Sequence, residues 1–343
     1  MVMFRYIVLA LLVLGLHPLH AQFMPNTGQS FQFASGFNPA FSGVESQSDL
    51  KLGYRYQWAG FGDAAPRFIN LGFNTRLKQP VDLITHSLRM SNAKDLNSAA
   101  FIPARKRTIH GLGANFFYEK TGGYFVRTGG AVHYAFHYPL SPQLRLSVGG
   151  SALIESTKYD DLYLGKDADP DELAGKYAGQ GELYFNTRLG FLLYGKNFYF
   201  GATYMDLFDK VITTPSEETS ASAAMYKGSA QAGVSFEVAP AVFIRPSLLA
   251  IMNFQNKLSF DFNVKAYIQE KVWFGFTFRD AQSPIGSNKS LLGLLGFNVN
   301  KTFAAAYSYE RSIGGMSKFH DGSHELVLAI RFNNLKRPGP TIW

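Results

Sequence analysis

The stretch Lys257–Arg279, KLSFDFNVKAYIQEKVWFGFTFR, decides the fold. Leu258, Phe260, Phe262, Val264 and Ala266 alternate with Ser259, Asp261, Asn263, Lys265 and Tyr267, which is the two-residue period of a β-strand. After a turn at Gln269-Glu270-Lys271 the pattern resumes, with Val272, Phe274, Phe276 and Phe278 set against Trp273, Gly275, Thr277 and Arg279. A β-sandwich hairpin also alternates, but its apolar face tapers into a compact core of Val, Ile and Leu. Here the apolar face is a band of phenylalanines about five residues tall on each strand, the height a tilted strand needs to cross lipid. The stretch predicts a hairpin of a membrane barrel.

The same alternation runs outward in both directions. Upstream, strands are predicted at Leu50 to Trp58, Ile69 to Arg76, Leu112 to Glu119, Val126 to His137, Leu144 to Gly149, Leu183 to Phe191, Phe198 to Tyr204, Gln231 to Glu237 and Val242 to Ala250. Downstream they fall at Gly293 to Val299, Phe303 to Glu310 and Leu326 to Phe332. With the hairpin this makes about 14 strands, an even number, as in an antiparallel transmembrane barrel with both termini in the periplasm. The connections at Pro139 to Pro142, Gly195-Lys196, Ala239 to Ala241, Gln269 to Lys271 and Asn300-Lys301 are short and belong to the periplasmic side. Those at Thr157 to Gly179, Phe208 to Met225, Ala281 to Ser287 and Ile313 to Asp321 belong outside. One periplasmic connection, Lys78 to His110, is the longest of all: either two strands lie hidden there, or it is an added periplasmic element.

The N-terminus supplies the address. Arg5 precedes an apolar run from Tyr6 to Leu16, and His17-Pro18-Leu19-His20-Ala21 ends in a small residue suited to signal peptidase. Residues 1–21 therefore read as a signal peptide, 22–48 as an irregular lead-in lying in the lumen or along the periplasmic rim, 49–333 as the barrel with its insertion at about 78–110, and 334–343 as a periplasmic tail. The 343 residues show no compositional break, so a single large barrel fits the length. There are 31 Phe and 18 Tyr against only 17% charged residues, a balance suited to a lipid-facing band and aromatic girdles. With no cysteine the chain carries neither a lipoprotein anchor, nor disulfides, nor thiolate chemistry. The formal charge of +8 is scattered over polar strand faces, with knots at Arg105-Lys106-Arg107 and Lys336-Arg337. An exported chain without a basic stripe is not expected to bind nucleic acid.

The charged residues on the polar faces would point into the lumen: Arg55, Glu119, Arg127, Arg188, Asp261, Lys265, Arg279, Glu310, Glu325 and Arg331, together with Arg76, Arg145, Glu237 and Arg245. Both signs occur and no cluster of one sign is visible, so cross-strand pairing that fills the lumen is expected in place of a selective pore. Catalytic, cofactor and metal sites are not expected. His133 and His137 stand four apart on a strand, about 13 Å along it, too far to share one metal. Ser323-His324-Glu325 has the residue types of a triad in consecutive positions, which sends the side chains to alternate faces.

Particular words of the sequence carry a resemblance. Phe37-Asn38-Pro39-Ala40-Phe41-Ser42-Gly43, Tyr54-Arg55-Tyr56-Gln57-Trp58 with Ala65-Pro66-Arg67, Gly111-Leu112-Gly113 leading to Tyr118-Glu119-Lys120-Thr121-Gly122, and Tyr307-Ser308-Tyr309-Glu310 with Gly322-Ser323-His324-Glu325-Leu326 occur in order. Arg245-Pro246-Ser247 and Trp273-Phe274-Gly275 lie between them. Together, from about Asn38 to Phe332, the set resembles the PorP/SprF family, outer-membrane barrels of the type IX secretion system of Bacteroidota. The resemblance implies a non-enzymatic outer-membrane protein in contact with lipid. It further implies a partner among periplasmic secretion and gliding components, or a secreted adhesin. The 78–110 segment and the tail exceed the family's usual pattern, which makes Arg105, Lys106, Arg107, Lys336 and Arg337 the candidate partner contacts. A passive channel for small solutes is the other reading.

Overall fold

The computed structural model describes residues 27–45, 47–78, 108–122, 125–141, 143–159, 181–213, 226–269, 271–283, 286–300, 302–313 and 315–332. Its strands are β1 (Ser48–Tyr56), β2 (Arg67–Lys78), β3 (Ile109–Thr121), β4 (Phe125–Pro139), β5 (Leu144–Tyr159), β6 (Gly181–Gly195), β7 (Phe198–Thr213), β8 (Tyr226–Val234), β9 (Phe236–Ala239), β10 (Val242–Asn253), β11 (Leu258–Ile268), β12 (Val272–Ser283), β13 (Gly286–Asn298), β14 (Phe303–Ser312) and β15 (Ser323–Phe332). β8 and β9 are halves of one strand, broken at Ser235, and both pair with β10. Fourteen antiparallel strands thus follow one another around the wall. The register Ser48↔Phe332 through Tyr56↔His324 between β1 and β15 closes it. Closure leaves no edge strand, so every strand backbone meets a neighbour, as lipid requires.

Several strands run past their expected ends, because the alternation continues through polar residues. β5 reaches Tyr159, β7 reaches Thr213 and β13 begins at Gly286. β2 pairs directly with β3 from Arg67↔Lys120 to Lys78↔His110, so no hidden strand separates them. The remainder of the insertion, the signal segment and the tail lie outside the described residues.

Burial alternates along each strand with apolar groups outside. Phe262, Phe274 and Phe276 are each about half exposed, while Asp261, Asn263, Lys265, Trp273, Thr277 and Arg279 between them are buried. Leu52, Phe116, Val132, Phe200, Leu295, Tyr307 and Leu328 continue the apolar band around the wall. A soluble protein does not expose a belt of this size, and lipid is the solvent that satisfies it.

The barrel's interior is filled by residues ahead of β1. Short helical turns at Ser30–Phe33, Ala34–Phe37 and Pro39–Phe41 form a plug, so the lead-in lies in the lumen and not along the rim. Thr27 touches Glu325, near the start of β15, and Ser42 touches His137, near the end of β4. The plug therefore descends the lumen from the mouth with long loops to the mouth with short turns, where β1 begins. The wall's first and last residues share the short-turn mouth as expected, whereas Thr27 stands near the opposite one.

Candidate functional site: the plugged lumen

The plug is held by three apolar patches on an otherwise polar inner wall. Phe33 packs with Trp273, Leu294, Ala306 and Val327; Phe37 with Leu249 and Ile251; Ala40 and Val44 with Leu192 and Tyr194. Full burial of a phenylalanine side chain stabilises by about 1.5–3 kcal/mol, so Phe33 and Phe37 are the plug's principal anchors. These inward apolar residues break the expected polar face. They cover plug, not lipid.

Glycines on the wall let the plug backbone approach. A Cβ on Gly149 would lie 2.5 Å from the Ala40 nitrogen, one on Gly190 2.1 Å from Asn38 Oδ1, and one on Gly111 1.9 Å from the Ser42 oxygen. Gly43, with φ of +74°, is pressed against the Gly111 Cα, so at this contact both chains need glycine. Polar bonds complete the seat. Asn38 Nδ2 donates to the Phe191 carbonyl at 3.1 Å, Ser147 Oγ to the Ala40 carbonyl at 2.8 Å, and Arg188 Nη1 to the Gly36 carbonyl at 2.8 Å. His137 Nε2 donates to the Ser42 carbonyl at 2.8 Å, which leaves Nδ1 to accept from Tyr194 Oη at 2.9 Å. Arg76 donates to the Gly43 and Val44 carbonyls. The motif Phe37 to Gly43 is thus the part of the plug most tightly engaged with the wall. His133 lies two alternations away, with its Nε2 bonded to Asn115 at 2.9 Å.

Near the long-loop mouth the expected charges meet. Arg55 lies opposite Glu325 and bonds Glu310 at 2.7 Å; Arg279 lies opposite Asp261 and grips both of its oxygens at 2.8 and 2.6 Å. Glu310 also approaches Arg279 at 3.5 Å and accepts from Ser290 Oγ at 2.6 Å. This network closes on the plug. Arg279 donates to the Thr27 carbonyl at 2.7 Å, and Glu325 accepts from Thr27 Oγ1 at 2.6 Å and from the Gly28 amide. Burying ions is expensive unless each is paired and hydrogen-bonded, and here both conditions hold. A second group places Arg127 between Glu119 at 2.9 Å and Glu155 at 2.7 Å.

Three of the expected lumen charges stand elsewhere. Arg188 serves a plug carbonyl, while Lys265 and Arg331 face a cavity at the short-turn mouth. Arg145 is partly buried near that mouth and Glu237 is exposed on β9. Glu155 also faces inward, beyond the Gly149 end expected for β5, and extending that strand's parity from Ser147 reaches it. Lys51, paired with Asp49 at 3.3 Å and Glu45 at 3.5 Å, had the inward parity of Arg55. The candidate partner contacts Arg105, Lys106, Arg107, Lys336 and Arg337 lie outside the described residues.

The plug divides the remaining space. One cavity of about 150 Å³ lies toward the long-loop mouth, between Phe37, Phe117, Glu155 and Tyr226. A larger one of about 330 Å³ lies between Phe31, Trp273, Lys265 and Arg331. Fourteen strands, an apolar outer belt and a polar, plugged lumen define a transmembrane β-barrel of the outer-membrane type.

The family model described as type IX secretion system membrane protein PorP/SprF matches residues 19–330, and the chain belongs to that family. Its place is the outer membrane. Similar solved structures include the CymD monoaromatic hydrocarbon channel, with 12% identity, a TM-score of 0.48, and coverage of 91% of this chain and 94% of that one. The Ralstonia pickettii toluene transporter TbuX follows at 11% identity and TM-score 0.47, covering 87% and 92%. Acinetobacter baumannii Omp33 has 12% identity and TM-score 0.47, covering 85% and 100%. No curated protein matches this chain.

Proposed function

We propose that this type IX secretion barrel is a non-catalytic docking protein, with its short-turn mouth in the periplasm. In this reading it holds periplasmic components of the secretion and gliding machinery, or a secreted surface protein. The observation that carries the reading is the plug. A lumen occupied from Thr27 to Val44, with that segment tied to the wall by hydrogen bonds from buried charged and polar groups, suits a scaffold better than a solute pore. The basic segments about Arg105-Lys106-Arg107 and Lys336-Arg337 are the contacts proposed for periplasmic partners.

Crosslinking in native membranes followed by recovery of the barrel tests this. Neutralising Arg105, Lys106 and Arg107 together leaves barrel assembly unchanged and lowers recovery of periplasmic partners, more steeply at high salt. Unaltered recovery with a normal barrel sinks the electrostatic docking contact and assigns these residues to lipid headgroups at the rim. A steady channel of porin size in planar bilayers would favour the passive-channel reading instead.

A further inference from the structure

The buried cations of the lumen fall into two kinds. Across three strand pairs the register sets arginine against a carboxylate four times: Arg55↔Glu325 and Asp49↔Arg331, Asp261↔Arg279, and Glu119↔Arg127. Across β10 and β11 it sets Arg245 against Lys265. Like charges directly opposite one another destabilise a sheet, and both residues are more than nine-tenths buried. Arg245 lies over the Tyr267 ring, 4.0 Å from its centre, and its Nε donates to Ser235 at 3.3 Å. Lys265 Nζ stands 3.5 Å from the centre of the Phe31 ring, with no carboxylate in ion-pair distance among the described residues.

Both cations line the 330 Å³ cavity, which extends from Asn298 and Arg331 at the short-turn mouth to Asn263 and Ser247 at mid-height. Arg331 and Lys51 add positive charge; the acidic groups on this side are Glu45 and Asp49, both paired with Lys51, with Asp49 also opposite Arg331 in register. An excess of positive charge, Lys51, Arg245, Lys265 and Arg331 against Glu45 and Asp49, is therefore assembled at this end, where the linear sequence shows none. The rest of the wall mixes polar groups, among them Gln47, Asn263 and Asn298, with the aromatic side chains of Phe31, Phe41, Tyr199 and Trp273. Cations beside aromatic faces in a concave space are the chemistry that holds an anion with an apolar body.

We propose that this cavity binds a carboxylate ligand bearing an apolar or aromatic group, entering from the short-turn mouth, with its carboxylate between Lys265 and Arg245. The anion relieves the repulsion of the facing cations, and the apolar part lies against Trp273. The proposal uses none of the residues Arg105 to Arg107, and it stands whether or not they dock a partner. Two sources offer this chemistry: a free aromatic acid, or an acidic side chain beside an aromatic one in a polypeptide.

Trp273 in the wall provides the readout. In purified barrel with Trp58 and Trp343 changed to Phe, Trp273 emission is titrated with phenylsuccinate, with acetyl-Glu-Phe-Glu-amide, and with the uncharged diamide of phenylsuccinate. The expected result is a saturable change with at least one of the two acids, absent with the diamide and weakened by salt. Lys265→Met should raise that dissociation constant about tenfold or more, since a charge-assisted hydrogen bond is lost, whereas Lys265→Arg should keep binding. Saturation by phenylsuccinate alone assigns the site to free acids; saturation by the peptide assigns it to an acidic chain. Heat-modifiable migration establishes that each variant is folded. No saturable change with either acid, equal binding of the diamide, or unchanged affinity in folded Lys265→Met overturns the proposal. If Lys265→Met does not assemble, the comparison of acid with diamide on the barrel carrying Lys265 decides it.

Discussion

Gly149 and Gly150 are neighbours on β5, and alanine at each gives a sharp comparison. A Cβ on Gly149 would meet the plug backbone at 2.5 Å from the Ala40 nitrogen and 2.6 Å from the Pro39 carbonyl carbon. On Gly150 the nearest atom is the Arg188 oxygen at 3.9 Å. Ordinary contact begins at 3.4 Å, so Gly149→Ala forces Ala40 back by about 0.9 Å, against Leu192 and Tyr194 in a packed cluster. Overpacking of this kind costs about 1–3 kcal/mol, and the obstacle is backbone, which has no rotamer to escape into. Gly150→Ala meets ordinary space and stiffens the unfolded chain, so it is neutral or stabilises by up to about 1 kcal/mol. Amide hydrogen exchange over Ser30 to Val44 in the purified barrel measures the difference. Opening of the plug should become roughly 5- to 150-fold more frequent in Gly149→Ala and no more frequent in Gly150→Ala, with both barrels heat-modifiable. Equal exchange in the two variants would refute the seating of the Pro39-Ala40 turn against β5.

Phe262→Arg and Phe276→Arg each place a charge on the lipid face and should cost about 2–4 kcal/mol near the bilayer midplane, read as loss of heat-modifiable migration; unchanged assembly of either would refute the outward assignment. Glu310→Gln removes the carboxylate shared by Arg55 and Arg279 and should cost about 1–3 kcal/mol, seen as a lower temperature of barrel unfolding in detergent, because the charge-assisted bond to Arg55 is weakened while Glu325 and Asp261 still balance the two guanidiniums. At the long-loop mouth, burial and then the nearby Arg311 hold the His320 imidazole below its ordinary value. Its Nδ1 accepts from the Gly322 amide at 2.9 Å, so protonation there breaks that bond. The unfolded loop binds the proton more readily, so this contribution is complete above the ordinary value near pH 6.5 and is lost as pH falls below it. Protease sensitivity of the 313–322 loop should rise on acidification in the parent barrel and change less with pH in His320→Gln.

What the sequence by itself determined was the wall. Strict alternation in Lys257 to Arg279 and its relatives places phenylalanines in lipid and polar groups in the lumen, because a strand's side chains can point only to two faces. Parity alone also placed Arg55, Glu119, Arg127, Asp261, Arg279, Glu310 and Glu325 inside, and register then brought the opposite charges together. The ends of the strands were less legible, since polar residues continue a strand as readily as they begin a loop.

The tertiary structure decided the interior. Residues 27–45 have no period of their own, so nothing local says that Phe33 and Phe37 sit in the lumen; their partners, such as Val327 and Leu249, are some 200 to 300 residues away in the chain. The inward leucines and the glycines at 111, 149 and 190 have meaning only against the plug that covers them. The facing pair Arg245 and Lys265 likewise emerges from the register of two strands, because charge in a sequence is scattered along a line while a barrel folds that line into levels.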